Sequence, residues 1–201
     1  MGFQTFLSVK NTGYAGGIMV AYREDRLQIS MISKEEQFIH LKVNNNLGDA
    51  WLLTVVYASP HERLKRLMWE SIRKIAATIN QPWLVVGYFN DIVCASEKKG
   101  GGQVSVHKCN VFRENMEDYY LLDLGASGPK FTWRGPIFHG GQRIFERLDR
   151  ALSNEEWKLK FANCQVRVLT RVEFSDHHPI MITLNNNSFE RCPKTFHFES
   201  A

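Results

Sequence analysis

Two nearly unbroken apolar runs, residues 51–58 (WLLTVVYA) and residues 83–87 (WLVVG), bracket a stretch with helical spacing. Strands of this composition have no polar face, so the sheet that holds them must be covered on both sides. Between them, Ser59, Pro60 and Glu62 have the spacing of a helix-starting capping box. Leu64, Leu67, Met68, Ile72, Ile75 and Ile79 follow at helical intervals, and Gln81-Pro82 closes the segment. A buried strand, a helix and a second buried strand are therefore expected at the centre. The apolar stripe reads as core, not as a cofactor pocket.

The flanking segments mix both periodicities. Residues 13–22 pass from a turn at Gly16-Gly17 into a strand; with no Lys-Ser/Thr and no G-x-G-x-x-G spacing, a plain turn is preferred over a phosphate loop. Residues 27–32 and 38–43 alternate apolar and polar, as half-buried antiparallel strands do, and residues 44–49 form a turn cluster. Residues 97–103 read as a glycine and lysine loop. A helix is predicted over residues 107–120 with Val111, Phe112 and Met116 inward, and another over residues 154–161. Short strands are expected at residues 131–133 and 165–169. Pro179 suits the first position of a buried strand running to Leu184. The run Arg147-Leu148-Asp149-Arg150 alternates charge with an apolar residue and reads as a solvated face. Such a mixture fits an α/β sandwich better than a purely parallel doubly wound sheet.

With 201 residues the chain has the length of one domain, and hydrophobic residues make up 44% of it. The formal net charge of +4 permits a polyanionic partner without demanding one. Cys94, Cys109, Cys164 and Cys192 are scattered with no C-x-x-C pair, which argues against zinc and for reduced thiols in a reducing compartment. No stretch has the apolar length of a membrane span, so no membrane partner and an intracellular location, the nucleus included, are expected. The polar run Asn185-Asn186-Asn187-Ser188 divides a domain over residues 1–184 from a tail or linker over residues 185–201.

Several of the apolar strands end in polar groups: Tyr57, Asn90, Thr132-Trp133 and Asp176-His177. Side chains at strand ends can gather along one edge of a sheet, where sites form. A phenol, a carboxamide, a carboxylate and an imidazole together suit phosphodiester chemistry: the first two can donate to a phosphoryl oxygen, and the imidazole can polarise it or move a proton. A carboxylate can hold Mg²⁺. The blander possibilities are that Tyr57 is a core tyrosine, that Trp133 is packing, and that Asp149 only pairs with Arg147 or Arg150.

Tyr57-Ala58-Ser59-Pro60, Gly87-Tyr88-Phe89-Asn90, Phe131-Thr132-Trp133, Arg147-Leu148-Asp149-Arg150 and Ser175-Asp176-His177-His178-Pro179-Ile180 occur in one order. In that order the chain resembles the endonuclease/exonuclease/phosphatase superfamily. More narrowly, it resembles the endonuclease domain of plant LINE-type (non-LTR) retrotransposon polyproteins. The resemblance implies a four-layered α/β sandwich, two mixed and largely antiparallel sheets flanked by helices, and Mg²⁺-dependent cleavage of DNA. It implies His177 as the active-site imidazole, Asp149 as the group orienting it, and Asp176 as a metal or metal-water ligand. Asn90 and Tyr57 would contact the scissile phosphate, with Thr132 and Trp133 near the DNA-binding edge. His178 receives no role. The segment Thr195-Phe196-His197-Phe198-Glu199 resembles the linker to a reverse transcriptase in such polyproteins.

Two departures stand out. Tyr88 occupies the place of the family's catalytic Asp, and a phenol with an ordinary pKa near 10 is a poor base at neutral pH. Asp91, three residues on, falls on the opposite side by strand parity and is not expected to substitute. The family's metal-binding Glu precedes the Gly-Gly turn, yet no Asp or Glu occurs here before Glu24. The resemblance therefore implies a domain whose first strand and metal-ligand segment are missing. The expected function is a degenerate Mg²⁺-dependent phosphodiesterase or DNA endonuclease with weak or no activity. The alternatives are a non-catalytic nucleic-acid- or protein-binding module, and an active phosphatase or nuclease using a substitute acid.

Overall fold

The computed structural model describes residue 3 and residues 5–9, 17–138 and 140–184. Gly16, Cys192, the tail at 185–201 and the linker-like segment within it lie outside the described residues. The expected strand–helix–strand unit forms: β5 (Ala50–Tyr57), α1 (Glu62–Ala76) and β6 (Trp83–Tyr88), with β5 and β6 parallel. They are the middle of a six-stranded sheet. The chain-order neighbours β3 (Leu27–Glu35) and β4 (Phe38–Asn45) extend it as antiparallel strands on one side. On the other side lie β11 (Asp149–Ser153) and β8 (Leu122–Asp123), both antiparallel to their neighbours.

Both faces of the sheet are covered at its central strands, as their apolar sequences demand, while the edge strand β3 is largely exposed. On one face α1 and α2 (Val106–Asp118) pack Met68, Trp69, Ile72, Phe112 and Met116 against Leu52, Val56, Val85 and Leu152. On the other, Ile39, Leu41, Trp51, Leu84 and Ala151 meet α3 (Glu155–Lys160) and two antiparallel ribbons. One ribbon joins β1 (Thr5–Val9) to β2 (Ile18–Tyr22); the second joins β12 (Gln165–Val168) to β13 (Ile180–Thr183). A third small sheet, β7 (Lys98–Lys99), β10 (Arg143–Glu146) and β9 (Trp133–Ile137), stands at the edge beside β11. The molecule is thus a mixed α/β sandwich, with the second sheet present as two separate ribbons among the described residues.

Several local expectations are corrected. Helix α1 starts two residues later than the capping box placed it: His61 is the N-cap, without a side-chain cap bond, and the Ser59 hydroxyl instead accepts from the His61 amide at 3.2 Å. Its buried face holds Lys65 and Trp69 beside Met68 and Ile72, while Leu67 is exposed. In α2 the inward residues are Cys109, Phe112 and Met116, and Val111 faces outward. Strand β13 alternates half-buried with exposed residues instead of being buried throughout. The largest correction concerns charge. Glu97 is buried, not part of an open loop, and Arg150 is fully buried, not on a solvated face. Arg147 and Arg150 together bind Glu97 and Asp123, Arg147 at 2.8–2.9 Å. Buried ions persist only when paired and hydrogen-bonded, and here two cations meet two carboxylates.

Candidate active site

The site grows from the C-terminal ends of β5 and β6. Parallel pairing sets Tyr57 beside Tyr88, and their rings lie 5.3 Å apart. Gly87 makes this possible: its φ is +141°, and a Cβ there would sit 2.0 Å from the Val56 carbonyl oxygen. Only glycine lets β6 approach β5 so closely just before Tyr88. Across the sheet, Asp149 opens β11 directly opposite Tyr88, and the Phe89 amide donates to the Leu148 carbonyl at 2.9 Å.

Asp149 is fixed by Thr132, whose hydroxyl oxygen accepts from the Leu148 and Asp149 amides at 2.9 Å each. Thr132 was expected near the DNA-binding edge. Its side chain is fully buried, so it holds Asp149 in place and cannot meet a substrate directly. The start of β9 is stitched to the segment before β13: the His178 amide donates to the Thr132 carbonyl at 2.7 Å and the Arg134 amide to the Asp176 carbonyl at 2.8 Å. That stitching brings His177 Nδ1 to 2.9 Å from Asp149 Oδ2. It also lets the Trp133 indole donate to Asp176 Oδ2 at 3.0 Å. The His178 ring is taken up by the Leu169 carbonyl at 2.9 Å, away from this chemistry.

The electrostatics follow from the contacts. Burial alone would lower the His177 pKa, but the hydrogen bond to Asp149 and the charges of Asp149 and Asp176 outweigh it and hold the imidazole above its ordinary value. With Nδ1 bound to Asp149, Nε2 is left with no protein partner among the described residues, ready to donate to an anionic oxygen. Tyr88 lies edge-on to His177, ring centres 5.0 Å apart. Burial, the adjacent Tyr57 and the carboxylates of Asp149, Glu146 and Asp176 push its phenol far above 10, so it stays neutral and cannot serve as a base.

Of the expected site residues, Asp149 and His177 are in direct contact, while Asp176, next to His177 in the chain, is bonded to Trp133 and acts on the imidazole through its charge. Asn90 lies two residues beyond Tyr88 at a left-handed backbone position, φ 54°, and lines an adjoining cleft of about 320 Å³ with Lys98, Glu146 and Leu148. Its carbonyl accepts from Lys65 Nζ at 3.1 Å. The same ammonium pairs with Asp91 at 2.6 Å, which ties Asp91 to α1; β6 ends at Tyr88, so strand parity does not place Asp91. Among the described residues no three His, Cys, Asp or Glu side chains converge to hold a metal ion. The carboxylates present do not make a metal cradle, and Asp176 is already engaged by Trp133.

Sequence reasoning did not find Lys65, Glu97 or Asp123. Lys65 could have been found: it sits at helical spacing with Trp69 and Ile72 on the face that turned out to be buried. Glu97 and Asp123 carry no local signal, because their partners come from β10–β11, far along the chain.

The fold has counterparts among solved structures. The endonuclease domain of TRAS1, a telomere-specific non-LTR retrotransposon, superposes with a TM-score of 0.68 at 14% identity, over 90% of this chain and 80% of that one. An endonuclease/exonuclease/phosphatase family protein from Leptotrichia buccalis C-1013-b gives 0.53 at 15% identity, over 90% of this chain and 72% of that one. The chain has the endonuclease/exonuclease/phosphatase fold. Truncated Caenorhabditis elegans TDP2 shares the endonuclease/exonuclease/phosphatase fold with it at a TM-score of 0.50 and 13% identity, over 87% of this chain and 74% of that one. No protein-family model and no curated relative matches the sequence.

Proposed function

We propose that this chain is a DNA endonuclease domain of non-LTR retrotransposon origin in which the hydrolytic step is lost and the phosphate-contacting imidazole is kept. The observation that carries this reading is the neutral Tyr88 ring set edge-on against His177, 5.0 Å away, where the family has a catalytic carboxylate. A phenol there cannot take a proton from water at neutral pH. His177, held by Asp149, remains able to donate through Nε2 to a phosphate oxygen. Mg²⁺ would supply charge neutralisation at a phosphate in an active relative of this kind, and the described residues lack the ligand set to hold it. The natural partner is DNA. A reverse transcriptase domain in a longer polyprotein and a nuclear location belong to the same reading.

The test is nicking of supercoiled plasmid with Mg²⁺, read beside DNA binding. Nicking is expected at background for the wild type, and Tyr88→Asp alone is expected to leave it there. DNA binding is expected to weaken with salt and with His177→Ala. Robust nicking that disappears in His177→Ala would refute the loss of hydrolysis and favour an active enzyme that recruits another acid.

A further inference from the structure

The loop between β12 and β13 presents Phe174 to solvent with 96% of its surface exposed, and Val172 with 59%. An exposed phenylalanine on a loose loop would carry no argument, but this loop is braced. The Arg171 guanidinium donates to the carbonyls of Val172 and Glu173 at 3.1 and 3.0 Å and to that of Ser175. The Ser175 amide closes the turn on the Val172 carbonyl at 3.0 Å. The Ser175 hydroxyl then accepts from the His177 amide at 3.1 Å, which ties the loop to the His177 backbone. A single arginine therefore fixes the backbone on both sides of Phe174, three residues from His177, and the ring is left almost wholly uncovered by the described residues.

We propose that Phe174 is a stacking platform for the base of an unpaired nucleotide whose neighbouring phosphate lies at His177; this rests on the phosphate-contacting reading above. Inside a duplex both faces of each base are taken by its neighbours, so a ring projecting from a rigid loop meets a free face only on a single strand or a displaced base. Charges of both signs flank the ring: Glu173 and Asp176 are exposed on the same loop, and three arginines stand nearby. Arg171 lies in the loop itself, Arg134 is bonded through its amide to Asp176, and Arg143 donates to the Gly135 carbonyl at 2.9 Å on the adjoining β9–β10 hairpin. Base stacking on an aromatic side chain is sequence-tolerant, because every base has a π-face.

The test is fluorescence anisotropy of the full chain at low salt with labelled oligodeoxythymidine and with the same backbone lacking its bases. The wild type is expected to bind the base-bearing strand about tenfold more tightly than the abasic one. Phe174→Ala should abolish that preference, and Phe174→Trp should keep it. Because the ring is exposed, neither substitution disturbs the core. A preference that survives in Phe174→Ala, or an equal loss on both strands, overturns the proposal. If the wild type binds both strands equally and His177→Ala weakens both, stacking is refuted while the phosphate reading stands. If the wild type binds neither, both fall.

Discussion

Strand β11 serves two charged clusters of opposite character. Arg150 points to one face, is fully buried, and lies with Arg147 between Glu97 and Asp123. Its neighbour Asp149 points to the other face and meets His177, whose side chain is about one-third exposed. In the sealed cluster burial opposes ionisation, yet the guanidinium hydrogen bonds and charges hold both Glu97 and Asp123 below the usual carboxylate range. Every charge there is satisfied by another, and the product is architecture: the segment before β7 is tied to β8 and β11. In the open pair only one imidazole nitrogen has a hydrogen-bond partner among the described residues. Two clusters one residue apart differ in access: Arg150 is sealed from solvent, Nε without a partner included, whereas His177 is about one-third exposed.

The sharpest way to break this contrast is Arg150→Met, which leaves Glu97 and Asp123 buried with a single cation. A loss of about 3–5 kcal/mol is expected by urea denaturation. A loss as small as that of Asp149→Asn would erase the distinction between the clusters. Next is Thr132→Val, which strands the Leu148 and Asp149 amides. It should cost about 1–3 kcal/mol and let the His177 pKa fall toward its ordinary value, followed by NMR titration of the ring. An unmoved titration would show that Thr132 does not position the pair.

Dependence on pH separates the clusters further. The Glu97 and Asp123 pKa values are lowered by folding, so the stability they confer is present above their unfolded values and lost as pH falls. His40 acts in the same direction: burial lowers it to about 4, so the stability it confers is full above its unfolded value and is lost as pH falls toward 4. His177 is raised, so its pairing with Asp149 stabilises below the unfolded histidine value and fades as pH climbs through the folded one. Asp149→Asn is therefore expected to cost about 1 kcal/mol near pH 6 and less at pH 9, in thermal melts across pH. The smallest effect is expected at the exposed Glu62–Lys108 pair. Glu62→Gln should change stability by under about 1 kcal/mol, and a larger loss would mean that surface charge, not burial, sets the scale.

Much of the fold was legible because apolar runs and periodicity are local. Residues 51–58 and 83–87 announced covered strands, and Asn154 announced the start of α3, where its side chain accepts from the Trp157 amide. The site residues were legible by type and order but not by placement. Nothing near Thr132 in the chain says that its hydroxyl serves amides of residues 148 and 149. Arg147 and Arg150 looked solvated because alternation with Leu148 is what a surface strand shows; their burial follows from carboxylates contributed by residues 97 and 123. The capping box failed because Ser59 spent its hydroxyl on the turn before the helix.

The amino-acid order by itself determined that two apolar strands flank a helix and that Tyr, Asn, Asp and His stand at strand ends, since those are properties of neighbours along the chain. Only the folded packing decided that Asp149 meets His177 and Trp133 meets Asp176, while Asn90 turns to an adjoining cleft. The pairing of Tyr88 with Asp149 across β6 and β11 and the stitching of β9 to residues 176–178 fix those distances. Contacts between residues so far apart in sequence are set by register and close packing, which no local pattern encodes.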